Sequence, residues 1–150
     1  MKYYLFLIPL FLFSCGQKKP TNQSAELVND TIPQIRKIIK KEAVASYSEK
    51  TKDLLNNWRF AVDLYETPET FKYLATIEYE TLNETDTIII PNFGIQPVVE
   101  IQRGEQPLSC IIGFQDKKGA FMKYKEVSVK NKQLKIATVQ RYARTRFRKK

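Results

Sequence analysis

Not one histidine occurs in the 150 residues. That absence removes Ser/His/Asp and Cys/His triads, histidine-ligated zinc and imidazole acid–base chemistry together. Cysteine is nearly as scarce, with only Cys15 and Cys110, so no paired-cysteine metal motif is present. There is no glycine-rich phosphate loop and no HExxH, and five glycines are too few for a repeat architecture. No run is apolar for the roughly 20 residues a membrane-spanning helix needs. Carboxylate pairs such as Glu78/Glu80 and Glu66/Glu69 occur, but a glycosidase needs two across a cleft. An enzyme made from this chain would have to work with carboxylates, tyrosines or lysines alone. The sequence therefore reads as non-catalytic, with no cofactor and no metal.

What is present begins at the first residues. Met1-Lys2 is followed by an apolar run, Tyr3 to Phe13, and then Ser14-Cys15-Gly16. A basic start, a short apolar run and a small residue before a cut describe a secretory signal peptide. Leu12-Phe13-Ser14-Cys15 resembles the lipobox of bacterial lipoproteins, in which a diacylglycerol is attached to the cysteine sulfur before cleavage. The resemblance covers only the first 15 or so residues and says nothing of the domain that follows. It implies residues 1–14 as a signal peptide and Cys15 as a lipidated anchor. A single acyl chain holds a protein marginally and two or more hold it stably, so the implied tether is permanent. Gly16 stands where Asp would mark inner-membrane retention in the enterobacterial pattern. Gln17-Lys18-Lys19 lacks the acidic cluster associated with surface export in lipoproteins of Bacteroidota. The implied address is the outer membrane, facing the periplasm.

That address changes how the charge is read. The chain has 25 Lys and Arg against 16 Asp and Glu, a net +9, of which the signal peptide removes only Lys2. Nucleic acid is not a periplasmic partner, so the anions on offer are lipid phosphates, lipopolysaccharide, peptidoglycan carboxylates and acidic protein faces. With Cys15 acylated, Cys110 has no disulfide partner. Its apolar setting, Leu108-Ser109-Cys110-Ile111-Ile112, suits a buried small hydrophobe.

Residues 15–30 are polar and aperiodic and read as a flexible linker from the lipidated cysteine; residues 31–150 read as one domain. The domain opens on an expected helix. Asp30 or Thr31 caps it, Pro33 fits its first turn, and Ile32, Ile35, Ile39 and Ala43 share a face. Arg36, Lys37, Lys40 and Lys41 fill much of the rest. Such a helix either packs on a sheet with its charges in water or lies on anionic lipid.

From there the pattern is β. Residues 48–66 fit both periods, and we read a helical or irregular lead-in to about Asn57, then a strand from Trp58 to Glu66. Phe71 to Tyr79 alternates as a second strand. A turn at Asn83-Glu84-Thr85-Asp86 precedes a third, Thr87 to Ile90. Val98 to Gln102 and Ser109 to Phe114 make a fourth and a fifth. The last hairpin carries Asn131-Lys132 as its two-residue turn, pairing Val129 with Leu134, Val127 with Ile136 and Phe121 with Tyr142. Short, regularly spaced strands predict a mainly β fold, an antiparallel β-sandwich or partly open barrel preceded by one N-terminal α-helix.

Two sets of candidate site residues complete the reading. Arg141, Arg144, Arg146, Arg148, Lys149 and Lys150 form a basic C-terminal edge, suited to gripping phosphates or carboxylates or simply keeping an edge strand soluble. Asp30-Thr31-Ile32 and Asp86-Thr87-Ile88 resemble the O-glycosylation sequon of Bacteroidota periplasmic proteins, which implies Thr31 and Thr87 as acceptors. Both threonines also have plain uses, in a cap and in a strand. The expected function is a non-catalytic accessory or scaffold subunit of an envelope assembly. Small lipidated β-sandwiches of secretion-system membrane complexes look similar in size and layout. The alternative is a binder of lipopolysaccharide or peptidoglycan, or an inhibitor docking into the acidic cleft of a lytic enzyme.

Overall fold

Alternation decides most of the backbone. In a computed structural model describing residues 32–53 and 55–142, eight strands form two antiparallel four-stranded sheets. The first holds β1 (Ala45–Lys50), β2 (Arg59–Glu66), β3 (Lys72–Tyr79) and β4 (Leu82–Ile89), in chain order. The second holds β5 (Val99–Arg103), β6 (Ser109–Gln115), β7 (Phe121–Lys130) and β8 (Gln133–Thr138), again in chain order. Each sheet is a simple meander, so every pairing is between sequence neighbours.

The period of two sends one set of side chains inward. Phe60, Val62 and Leu64 of β2, Tyr73, Ala75 and Ile77 of β3, and Ile88 of β4 meet Val99, Cys110, Ile112, Phe114 and Val127 from the other sheet. These residues form one continuous core. Phe114 is its aromatic centre at one end, with ring centroids 5.7 Å from Phe93, 5.4 Å from Tyr142 and 6.0 Å from Tyr124. Cys110 is fully buried, and burial pushes its thiol up to about 12.

The expected helix is not formed over the described part of its span: among the described residues there is none, and residues 32–44 make an irregular strap with a single bridge, Ile35 to Glu69. The lead-in expected from residue 48 to about Asn57 begins inside β1, whose apolar signal is only Ala45 and Tyr47, set opposite Leu64 and Val62. The turn expected at residues 83–86 lies inside β4. The hairpin closes earlier, with Glu80 at a φ of 53° and Tyr79 paired to Leu82. Closing there extends the backbone ladder and brings Ile88 opposite Tyr73, both facing the core. It also turns Glu84 and Asp86 toward the core side of an edge strand, a placement that discourages edge-to-edge pairing. Asp86 meets Lys125 of β7 at 3.8 Å.

The last hairpin forms as the sequence indicates, with Val129 opposite Leu134 and Val127 opposite Ile136. Asn131 and Lys132 both have positive φ, 52° and 61°, the geometry of a type I′ turn. The pairing of Phe121 with Tyr142 does not form. The ladder ends at Lys125 and Thr138, and a bulge shifts the β6–β7 register between Ile112 and Gly113. Phe121 instead covers Gly113, where a Cβ would lie 2.5 Å from the Phe121 ring and 2.4 Å from the Met122 carbonyl oxygen. A side chain at position 113 has no room.

Candidate functional site

The most elaborate polar constellation is at the end of the sandwich where the chain enters, and it is built around Arg36. Its side chain is only 4 % exposed. The guanidinium donates to the carbonyl oxygens of Thr67 (2.7 Å), Glu69, Thr70 and Lys72 (3.3 Å), so it caps the whole β2–β3 turn. Its Nε lies 3.5 Å from Glu66 Oε1 without a hydrogen bond, and its plane sits 4.7 Å over the Tyr73 ring. The Tyr73 hydroxyl donates to Pro97 O at 3.2 Å. Burial raises the Tyr73 pKa, with the Arg36 charge opposing that rise.

Backbone contacts run alongside. Arg36 N donates to Pro68 O (2.8 Å), Thr70 N to Gln34 O (2.9 Å), and the Thr70 hydroxyl to Pro33 O (2.6 Å). Lys40 N donates to Glu66 Oε2 at 2.9 Å and Val44 N to Leu64 O at 2.8 Å. An arginine suits this task because five donors in a planar fork can serve several carbonyls at once. With both terminal nitrogens engaged and no lone pair to offer, the group fastens rather than reacts. Beside it a hollow of about 290 Å³ is lined by Ile32, Ile35, Ile38, Glu66 and Gln96 among others.

Fastening the strap leaves most of its other side chains outward, with Ile32, Ala43 and Val44 half-buried. Ile35, Ile38 and Ile39 are 59 %, 82 % and 43 % exposed, with Lys37, Lys40 and Lys41 exposed between and beside them. The register places more positive charge at this same end. β6 and β8 both run toward it, so the β6–β7 turn presents Lys117 and Lys118 there, and Arg141 follows β8 there. Among the described residues, none of these six basic side chains takes part in an ion pair. At the opposite end a hollow of about 360 Å³ mixes signs, with Glu49, Lys50, Lys52, Asp53 and Glu80.

Of the residues singled out in the sequence, Arg141 is exposed, and Tyr142 beside it is held by a 2.7 Å hydrogen bond to Lys123 O. Thr87 is exposed on β4, and its backbone N donates to Asp86 Oδ1 at 2.7 Å. Cys15, Thr31, Arg144, Arg146, Arg148, Lys149 and Lys150 lie outside the described residues, as do the signal peptide and the linker. Arg36 was missed as a fastener because helical spacing assigned it to a solvated face. The one available signal was an arginine among lysines in Ile35-Arg36-Lys37-Ile38-Ile39-Lys40-Lys41. Among the described residues no cluster of three or more Cys, Asp or Glu could hold a metal ion. No described helix is long and apolar enough to cross a membrane.

These features define a class: a two-sheet antiparallel β-sandwich with an arginine-fastened strap across one end. No protein-family model, curated protein or solved structure matches the chain.

Proposed function

We propose that this protein is a lipoprotein held by Cys15 in the outer membrane, facing the periplasm, and that it serves as a non-catalytic accessory or scaffold subunit of a cell-envelope assembly. The observation that carries the reading is Leu12-Phe13-Ser14-Cys15 at the end of a short apolar run after Met1-Lys2. The architecture is compatible with such a post. The chain enters the sandwich at Ile32 and passes Tyr142 at the same end, so a tether there leaves both sheet faces and the opposite end turned toward the periplasm for a partner. Radiolabelled palmitate should enter the wild-type product and not Cys15→Ser, and the substitution should shift its fractionation out of the outer membrane. An unlabelled wild-type product sinks the anchor. The scaffold role is tested separately by pull-down from native envelopes, where recovery without a stoichiometric envelope protein counts against it.

A second reading, binding of an anionic glycan or lipopolysaccharide through the basic run from Arg141 to Lys150, is favoured by the exposure of Arg141 at the basic end. It predicts association that weakens steeply with salt and is abolished by replacing Arg144, Arg146 and Arg148.

A further inference from the structure

The strap poses a physical question that its fastening sharpens. Three isoleucines within five residues are left in water by a loop that is not floppy, because Arg36, between Ile35 and Lys37, is buried and bonded to the carbonyls of the β2–β3 turn. Single exposed apolar residues are ordinary, but a contiguous group rimmed by charge marks an interaction surface. Here the rim is predominantly basic: Lys37, Lys40 and Lys41 on the strap and Lys117 and Lys118 at the same end outnumber the exposed Glu42 and Glu69, and Glu69 is already paired with Lys72.

We infer that this end of the sandwich docks on an anionic phospholipid surface. Ile35, Ile38 and Ile39 enter the boundary between headgroups and acyl chains, and the surrounding lysines pair with lipid phosphates. The combination of apolar side chains and lysines is what interfacial binding uses, and it does not require a helix, only that both kinds of side chain face one way. Charge complementarity favours lipid over a protein groove. So does position, because the strap follows the chain that leads back to Cys15, and residues 16–31 reach at most about 55 Å even when extended. The inference deepens the anchored-lipoprotein reading. The lipid would supply attachment, while the strap would set the sandwich upright on its basic end rather than leave it swinging.

The test uses residues 16–150, which keep every described contact and lack Cys15, so its outcome is independent of whether Cys15 is acylated. Sedimentation with vesicles of phosphatidylethanolamine and phosphatidylglycerol should capture the protein, and vesicles of phosphatidylcholine should not. Capture should fall with added salt. Replacing Ile35, Ile38 and Ile39 together by Ser should weaken binding about a hundredfold, and replacing Lys37, Lys40 and Lys41 by Gln should weaken it at least about tenfold. Both changes are on exposed side chains, and an unchanged urea midpoint verifies that the fold is intact. Because Cys110 is fully buried, a fluorophore on Ile38→Cys reports on the strap alone and should shift to the blue on anionic vesicles. Failure to bind, or binding that survives the strap variants and disappears when Arg144, Arg146 and Arg148 are replaced, overturns the inference. So does concealment of the isoleucines by self-association in solution.

Discussion

The strap (residues 32–44) and the β7–β8 hairpin contain similar materials, apolar residues interleaved with lysines, and the fold uses them in opposite ways. In the hairpin, Val127, Val129, Leu134 and Ile136 face inward, Lys130 and Lys135 face out, and Lys125 on the inner side is paired with Asp86. In the strap, the isoleucines face water and the one buried long side chain is a cation, Arg36. The hairpin is held by the apolar area it covers, the strap by hydrogen bonds to the carbonyls of the β2–β3 turn. Amphipathic spacing thus predicts an element only where a surface exists for its apolar face. The β2–β3 turn offered carbonyls instead, and the arginine answered them.

The contrast can be broken from either side. Phe114→Ala, in the core that the hairpin helps to cover, should cost about 3–5 kcal/mol in urea unfolding, whereas Ile38→Ser on the strap should stay within about 0.5 kcal/mol. Comparable losses at the two positions would erase the distinction. Arg36→Ala comes next, at about 2–4 kcal/mol, because it removes the guanidinium's hydrogen bonds to the carbonyls of Thr67, Glu69, Thr70 and Lys72 and the cation beside Glu66. Amide exchange at Thr70 and Val44 should accelerate in that variant. Arg36→Lys should recover less than half of the loss, since an ammonium cannot fork. Wild-type protection in Arg36→Ala would show that the strap is held by something else.

Alkaline pH probes the sandwich interior. The Cys110 thiol rises from its ordinary 9.0 to about 12 by burial, with Glu126 adding to it. The Tyr47 hydroxyl rises from 10.0 to about 12, by burial first and then by its hydrogen bond to Glu49. For an acid raised in the folded state, the protonated form is the one the fold prefers. Stability from this source is therefore complete below about pH 9 and lost as pH climbs toward 12. Cys110 should resist thiol reagents at pH 8.5 until urea exposes it; prompt labelling of the native chain would contradict that burial. The smallest effect is a gain. Lys132→Gly relieves a side chain at a φ of 61° and should add about 0.5–1 kcal/mol, read as a higher urea midpoint, if the type I′ turn is correctly placed.

Legibility along the chain followed the density of apolar alternation. Tyr73, Ala75 and Ile77 state their strand plainly, as do the pairs of the last hairpin, whereas Phe60, Val62 and Leu64 alternate within a stretch that also fits a helix. β1 was hidden because Ala45 and Tyr47 are too few to establish a period. The β3–β4 turn was misplaced because Asn83 and Asp86 are turn residues by habit, while Glu80, which takes the positive φ, is not. The bulge between Ile112 and Gly113 left no trace beyond a glycine. Of the candidate site, the charges and isoleucines were visible, but their meeting at one end was not.

Local composition determined the strands, the mainly β class and the lipobox-like start, because each depends on residues within a few positions of one another. The tertiary structure alone decided that residues 32–44 stay non-helical, that Arg36 is buried and that the strap's lysines join Lys117, Lys118 and Arg141 at one end. Those outcomes turn on carbonyls and strand directions contributed by segments some 30 to 100 residues away, and no local preference carries that information.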